Sequence, residues 1–237
     1  MLEAAFWGLV TAGSLWVGAA LATARPSNRW VGLAMAFGSG ALIAAVAYEL
    51  VLDAFETSAD LAASGFAVGA LAFYMGNWAI DRRRGGRVGM AGESRLAGSA
   101  NAIVLGTVLD GVPESFVLGA SILQDGAVPI AVVVGVFAAN VPEALSGTVG
   151  LLDAGWTRAR VFTMWSIVVA VSVVAAMAGW FLLDVMPSGG GAFAAAFAAG
   201  ALLVMLADTL MPEAFELGGR EVGLVTALGF AVGFALT

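Results

Sequence analysis

The sequence predicts an all-α, polytopic membrane protein with eight transmembrane helices, and three observations support this prediction. Of the 237 residues, 61% are hydrophobic and 11% are charged, whereas soluble domains carry about 25% charged residues. Apolar segments of about 20 residues, the length that crosses a bilayer, follow one another along the chain. The basic residues fall after every second segment. Because only helices satisfy their backbone groups in lipid over such lengths, a helical bundle follows.

The apolar segments leave room for a single transmembrane domain over residues 1–237 and for no soluble domain. In chain order they cover roughly 4–23, 31–53, 63–80, 100–123, 127–150, 160–184, 190–214 and 222–237. Glu3 and no basic residue precede the first segment. We therefore expect that segment to be a retained helix rather than a cleaved signal peptide.

The basic residues predict the topology. All ten are arginines, and they follow the first, third, fifth and seventh segments: Arg25, Arg29, Arg82, Arg83, Arg84, Arg87, Arg95, Arg158, Arg160 and Arg220. Basic loops stay in the cytoplasm. We therefore expect a multi-pass protein of the cell membrane with both termini outside and a long cytoplasmic loop at 81–99. That loop is typical of a topology determinant, and a lipid-binding or regulatory site is the alternative.

Two internal matches predict an inverted repeat. Residues 36–56 and 196–216 are identical at 10 of 21 positions without gaps, although their helices are predicted to run in opposite directions. GVPES at 111–115 likewise matches NVPEA at 140–144 in the next helix. Repeats of opposite orientation are typical of secondary transporters. We infer a 3+2+3 arrangement, with helices 4 and 5 across the pseudo-twofold axis.

Three carboxylates lie near the middle of the fourth and fifth predicted helices: Asp110, Glu114 and Glu143. An ionised group at the bilayer centre costs about 2.5–3.5 kcal/mol. No basic residue lies within a helix to neutralise these groups, and the sequence has no His or Lys. The missing positive charge is therefore expected to come from protons or from metal cations.

Helical spacing favours a metal. Asp110 and Glu114 share one helical face, as do Asn140 and Glu143. Pro113 and Pro142 each remove one backbone hydrogen bond, which predicts helix kinks and frees a carbonyl oxygen near a carboxylate. Acidic, amide and carbonyl oxygens together suit a hard divalent cation. A proton relay of protonated carboxyls and a purely structural kink are the alternatives.

Four further acids flank this centre. Glu49 and Asp53 lie at the outer end of the second predicted helix, and Asp208 and Glu213 at the inner end of the seventh. They are candidates for relays along a transport pathway. The alternative is that they are ordinary residues of the membrane interface.

These motifs resemble the ZIP (Zrt/Irt-like) family of divalent metal transporters. LDGVPESFVLGA is similar to the helix-4 motif of the family, AANVPEALSG to its helix-5 motif, and AFAAGALLVMLADTLMPEA to its helix 7. The resemblance covers nearly the whole chain. It implies eight helices in a 3+2+3 inverted repeat with outward termini, and it suggests a homodimer.

The resemblance also implies which residues bind metal. Family members bind two adjacent metals, bridged by residues that correspond here to Glu114 and Glu143, and Asp110 holds the position of the helix-4 histidine. Gly111 and Ala139 stand at two further ligand positions, and the sixth helix has no acid. We therefore expect one site, built from Asp110, Glu114, Asn140 and Glu143. Without His or Cys ligands, zinc, manganese, iron and magnesium are all candidates.

The sequence thus predicts a transporter that moves divalent metal into the cytoplasm, with the metal as substrate and the lipid bilayer as its surroundings. We expect no enzyme activity, no organic cofactor and no nucleic-acid partner, since neither a catalytic triad nor an ATP-binding loop is visible. One alternative is a ZIP-like membrane sensor or scaffold that binds metal without transport. Another is a proton-coupled carrier of a different solute.

Overall fold

The computed structural model describes residues 1–83, 100–126, 128–185 and 190–237, without the side chains of 80–83, 100–105, 109, 110, 124 and 125. All regular secondary structure in these ranges is helical, which confirms the predicted all-α class. The long helices of the described residues are α1 (Leu2–Leu21), α2 (Asn28–Ala45, continued by Val46–Leu52 and Asp53–Thr57), α3 (Ala59–Arg83), α4 (Ala100–Asp125), α5 (Ile130–Asp153), α6 (Arg158–Val185), α7 (Gly190–Met205, continued by Leu206–Leu210 and Met211–Gly218) and α8 (Val222–Leu236).

Six stretches of the described chain are long and apolar enough to cross a membrane: Leu2–Ala24, Asn28–Thr57, Ala59–Ala79, Ile130–Asp153, Arg158–Val185 and Gly190–Leu236. These apolar helices indicate a membrane protein, as predicted. The last stretch has 47 residues, but Gly219, with φ of 75°, separates α7 from α8. The count of eight spans, the 3+2+3 order, the single domain and the sides of the termini stay predictions.

The helix α3 extends three residues into the predicted cytoplasmic loop at 81–99, which itself stays a prediction. Its last turns contain arginine, a good helix former, and neither glycine nor proline occurs between Gly76 and Gly85. The rest of that predicted loop, 84–99, lies outside the described residues. The second helix is likewise longer than predicted and ends at Thr57 rather than at 53.

The helices α2 and α7 share a backbone irregularity. Each passes from α-helix into a π-helical segment, Val46–Leu52 in α2 and Leu206–Leu210 in α7. The two segments begin 160 residues apart, which is the offset at which the sequences 36–56 and 196–216 match. Segments of π-helix are rare and frequently lie at functional sites. The matching stretches therefore share a local geometry as well as a sequence.

Glycine contacts recur at the same offset. A Cβ atom on Gly40 in α2 would overlap the backbone oxygen of Thr226 in α8, and one on Gly200 in α7 would overlap that of Phe66 in α3. Gly40 and Gly200 are 160 residues apart, and so are Phe66 and Thr226. The two contacts are therefore equivalent under the repeat.

A second pair of contacts obeys the same rule. A Cβ on Gly229 would overlap the oxygen of Phe37, and one on Gly69 would overlap that of Phe197. The packing of α2 on α8 is thus repeated by α7 on α3.

Two ion pairs join helix ends on one side of the bundle. The Arg25 Nη2 atom lies 3.6 Å from Asp153 Oδ1, and the Arg29 Nη2 atom lies 2.7 Å from Glu221 Oε1. The connections after α1, α5 and α7 therefore meet at the same end. These are three of the four connections that the arginine pattern assigns to the cytoplasm.

Candidate functional site

Glu114 lies in the middle of α4 and is 2% exposed. Ser115 and Thr107, on the same helix, are also buried. The helix is held close to α6 by two glycines, since a Cβ on Gly119 would overlap the backbone oxygen of Ala176 and one on Gly179 would overlap that of Phe116. The fold therefore removes the Glu114 carboxylate from solvent by close backbone packing. Asp110, the other predicted ligand of α4, has its side chain outside the described part of the structure.

The helix α5 carries the other two predicted ligands. Asn140 is 5% exposed and Glu143 is 2% exposed. The Asn140 amide Nδ2 donates a hydrogen bond to the backbone oxygen of Thr11 in α1, at 3.4 Å. Because the nitrogen of this amide is turned towards α1, its oxygen Oδ1 is the atom that remains to accept a hydrogen bond or to bind a cation.

The two prolines lie inside helices, as predicted. Both α4 and α5 remain α-helical through Pro113 and Pro142, and Pro142 is buried. A proline has no N–H group, so each helix lacks one backbone hydrogen bond at this point. The freed carbonyls are those of Leu109 and Ala138, one turn before each proline. The size of the predicted kinks stays a prediction.

Small and hydroxyl-bearing residues of α1 and α6 surround this region, and the sequence analysis did not single them out. Thr11, Ser14 and Ser172 are all buried. A Cβ atom built on Gly111 of α4 would lie 3.4 Å from Oγ of Ser172 in α6. A Cβ atom built on Gly8 of α1 would lie 2.8 Å from the Cβ of Ala176 in α6. The signal that could have indicated them is the placement of single hydroxyl residues within apolar helices.

The two flanking acids of α2, Glu49 and Asp53, differ from each other. Glu49 is half-buried in the π-helical segment of α2, and its Oε2 accepts a hydrogen bond from the backbone N–H of Val132 at 3.2 Å. Val132 is the third residue of α5, where backbone N–H groups have no partner within the helix. Glu49 therefore contacts the helix that carries Asn140. Asp53, in contrast, is exposed.

The two flanking acids of α7, Asp208 and Glu213, also differ. Asp208 is half-buried in the π-helical segment of α7. Glu213, in the first turn after that segment, is 7% exposed. Its Oε1 accepts a hydrogen bond from the hydroxyl of Ser146 at 2.6 Å. Ser146 lies three residues after Glu143, and no sequence pattern predicts this contact.

The described side chains include no group of three or more His, Cys, Asp or Glu residues that could hold a metal ion. Glu114 is buried in α4 and Glu143 in α5. Among the described side chains, no group of three acids surrounds a possible metal position. A cation here would need oxygens of other kinds, such as the Asn140 amide, backbone carbonyls or water.

No protein-family model matches the chain, and no curated protein matches it either. The interpretation of the site therefore depends on the chemistry of its own residues.

Proposed function

We propose that the chain is a membrane transporter that carries divalent metal cations into the cytoplasm, as members of the ZIP family do. The cargo would bind between α4 and α5 at Glu114, Asn140 and Glu143, with Asp110 as a further ligand. The burial of two carboxylates, each 2% exposed, in the middle of apolar helices is the observation that carries this proposal.

The charge balance favours a cation as substrate. Each basic residue in the described part of the chain lies at a helix end or in a connection between helices, whereas Glu114 and Glu143 lie near the middle of their helices. An ionised carboxylate in the membrane interior is costly unless a positive charge accompanies it. A divalent cation drawn from solution supplies that charge, and its departure on the other side restores the empty site.

The donor set favours hard cations. Fewer than three acidic residues of the described part cluster together, so the coordination shell is completed by the Asn140 Oδ1, by backbone oxygens and by water. Magnesium retains several waters when it binds to proteins, and carboxylate, carbonyl and water oxygens suit magnesium and manganese. We therefore place these two ahead of iron and zinc as the cargo.

The repeated contacts support an inverted 3+2+3 repeat of eight spans. The π-helical segments and the glycine contacts recur at an offset of 160, and inverted repeats allow a carrier to open to either side in turn. The ion pairs that join three arginine-bearing connections support an arrangement with that end in the cytoplasm and both termini outside.

A second candidate is a proton-coupled carrier of another solute, in which Glu114 and Glu143 take up protons. The small number of clustered acids in the described residues favours it. A ZIP-like sensor or scaffold would bind metal without moving it. Calorimetric titration with Mn²⁺ distinguishes a proton-coupled carrier from a metal carrier, because only the metal carrier should bind Mn²⁺ saturably. Metal flux through the purified protein distinguishes a sensor or scaffold from a carrier.

The test is uptake of Mn²⁺ by proteoliposomes that contain the Glu143→Gln variant. Gln keeps the size of the side chain and removes its charge. Losing one partner of a buried charge pair costs about 3 kcal/mol, so we expect about 100-fold weaker Mn²⁺ binding and uptake near background. Glu216→Gln, at an exposed acid of α7, is the matched control and should behave as the unmodified protein. Undiminished uptake by Glu143→Gln would refute the site.

A further inference from the structure

Two carboxylates hold α5 from opposite ends, and each comes from a different half of the repeat. Glu49 of α2 accepts the hydrogen bond from the N–H of Val132, and Glu213 of α7 accepts that from the hydroxyl of Ser146. We name the first contact the outer clamp and the second the inner clamp. The clamped residues are 14 positions apart in α5, about 21 Å along the helix.

The residues of the candidate site lie between the clamps. Asn140 is eight residues after Val132, and Glu143 is three residues before Ser146. A tilt or shift of α5 that opens one clamp and keeps the other would therefore move both candidate ligands with respect to α2 and α7.

Between the two clamps, α2 and α5 are in close apolar contact. A Cβ on Gly38 would lie 2.7 Å from the Ala139 backbone, and one on Gly135 would lie 3.1 Å from the Leu42 side chain. Small residues let the two helices approach each other closely at these points. The clamps add one polar contact near each end of α5 to this apolar packing.

Both clamps depend on π-helical turns. Glu49 lies within Val46–Leu52, and Glu213 lies three residues after Leu206–Leu210 ends. A π turn holds an additional residue, and its conversion to α-helix would rotate the side chains that follow it. A carboxylate placed by such a turn can be withdrawn from α5 without unfolding the helix that carries it.

We propose that Glu49 and Glu213 are positioning residues that act on α5 in opposition, so that release of the outer clamp opens the site outwards and release of the inner clamp opens it inwards. This proposal rests on the proposed carrier function, because it assigns the alternation of access to named contacts. Neither residue needs to bind the cargo.

The experiment measures accessibility rather than transport. The chain has no cysteine, so a single introduced cysteine is the only thiol. Val128→Cys reports on the end of α5 near the outer clamp, and Val149→Cys on the end near the inner clamp; both valines are half-buried. A membrane-impermeant maleimide is applied to right-side-out and to inside-out membrane vesicles without added metal, and labelling rates are compared.

We expect opposite changes. Glu49→Ala should increase labelling of Val128→Cys about tenfold and decrease that of Val149→Cys, and Glu213→Ala should do the reverse. Glu49→Gln and Glu213→Gln keep an oxygen acceptor and should largely restore the original rates. Ser146→Ala should reproduce the effect of Glu213→Ala, and the double variant should add nothing.

Two exposed acids provide matched controls. Glu56 and Glu216 occupy equivalent positions of the repeat, and their Ala variants should leave both labelling rates unchanged. An increase confined to the nearer cysteine would indicate local loosening only and would overturn the proposal, as would unchanged rates. Because no metal is present, absent Mn²⁺ uptake together with opposite labelling changes would refute the metal cargo and leave the clamps standing.

Discussion

The stretches 36–56 in α2 and 196–216 in α7 share a backbone but place their acids differently. Both contain a π-helical segment that begins at the equivalent residue. In α7, the acid after that segment, Glu213, is buried and bonded to Ser146. Its equivalent in α2, Asp53, is exposed.

The acid that α2 does use comes from another position. Glu49 lies within the π-helical segment and contacts Val132, whereas the equivalent residue of α7 is Thr209. The two stretches thus share their small residues and their π turn, which belong to the common backbone. The polar contact that each stretch makes with α5 depends on one side chain, Glu49 in α2 and Glu213 in α7. The two halves can therefore be altered one at a time.

The glycine contacts provide the largest expected effect and the strictest test of equivalence. Gly40→Ala and Gly200→Ala would each drive a methyl group into a backbone oxygen. Backbone cannot move aside as a flexible side chain can, so we expect each to destabilise the protein by about 3 kcal/mol, the upper end of what overpacking costs. Thermal unfolding in detergent measures both.

The control for these variants is Gly223→Ala in α8, where no atom lies within 4 Å of the added methyl. Alanine is favoured over glycine in a helix by roughly 0.5–1 kcal/mol, so this variant should be neutral or slightly stabilised. Clearly unequal losses for Gly40→Ala and Gly200→Ala would contradict the equivalence of the two halves.

The acids at equivalent positions should differ in their contribution to stability. Glu213→Ala leaves the buried Ser146 hydroxyl without its acceptor, which costs about 2 kcal/mol. Asp53→Ala changes an exposed residue, and we expect an effect within about 0.5 kcal/mol. Chemical denaturation of both variants tests the difference, and equal effects would show that burial does not distinguish the two ends.

The ion pair between Arg29 and Glu221 should give the smallest effect. Both side chains are largely exposed, and pairs of this kind are worth at most about 1 kcal/mol. We expect Arg29→Ala to change the melting temperature only slightly and to leave the sidedness of the termini unchanged, because other arginines remain on that end. Protease protection of tagged termini measures this, and an inverted topology would contradict it.

Some of the candidate site could be predicted from the sequence alone. Glu114 and Glu143 stood out because a charged residue within an apolar helix is costly, and both are buried. The pairs Ser146 with Glu213 and Val132 with Glu49 could not be predicted, because the rotation of one helix against another decides which side chains meet. The side chain of Asp110 and residues 84–99 lie outside the described part of the chain, so the sequence predictions for them are untested.

The alignment of α3 with α8 gives a second example. GFAVG occurs at 65–69 and at 229–233, an offset of 164. The contacts instead relate Gly69 to Gly229, at an offset of 160. Local identity suggests one alignment, and close packing against the neighbouring helix selects another.

The amino-acid sequence alone predicts a bundle of apolar helices with buried acids, because hydrophobicity and helical spacing are properties of each segment. The places where π turns replace α-helix, and the acids that contact α5, are visible only in the folded chain. Those features depend on packing between segments far apart in the chain, where close approach of backbones leaves few positions for a polar side chain.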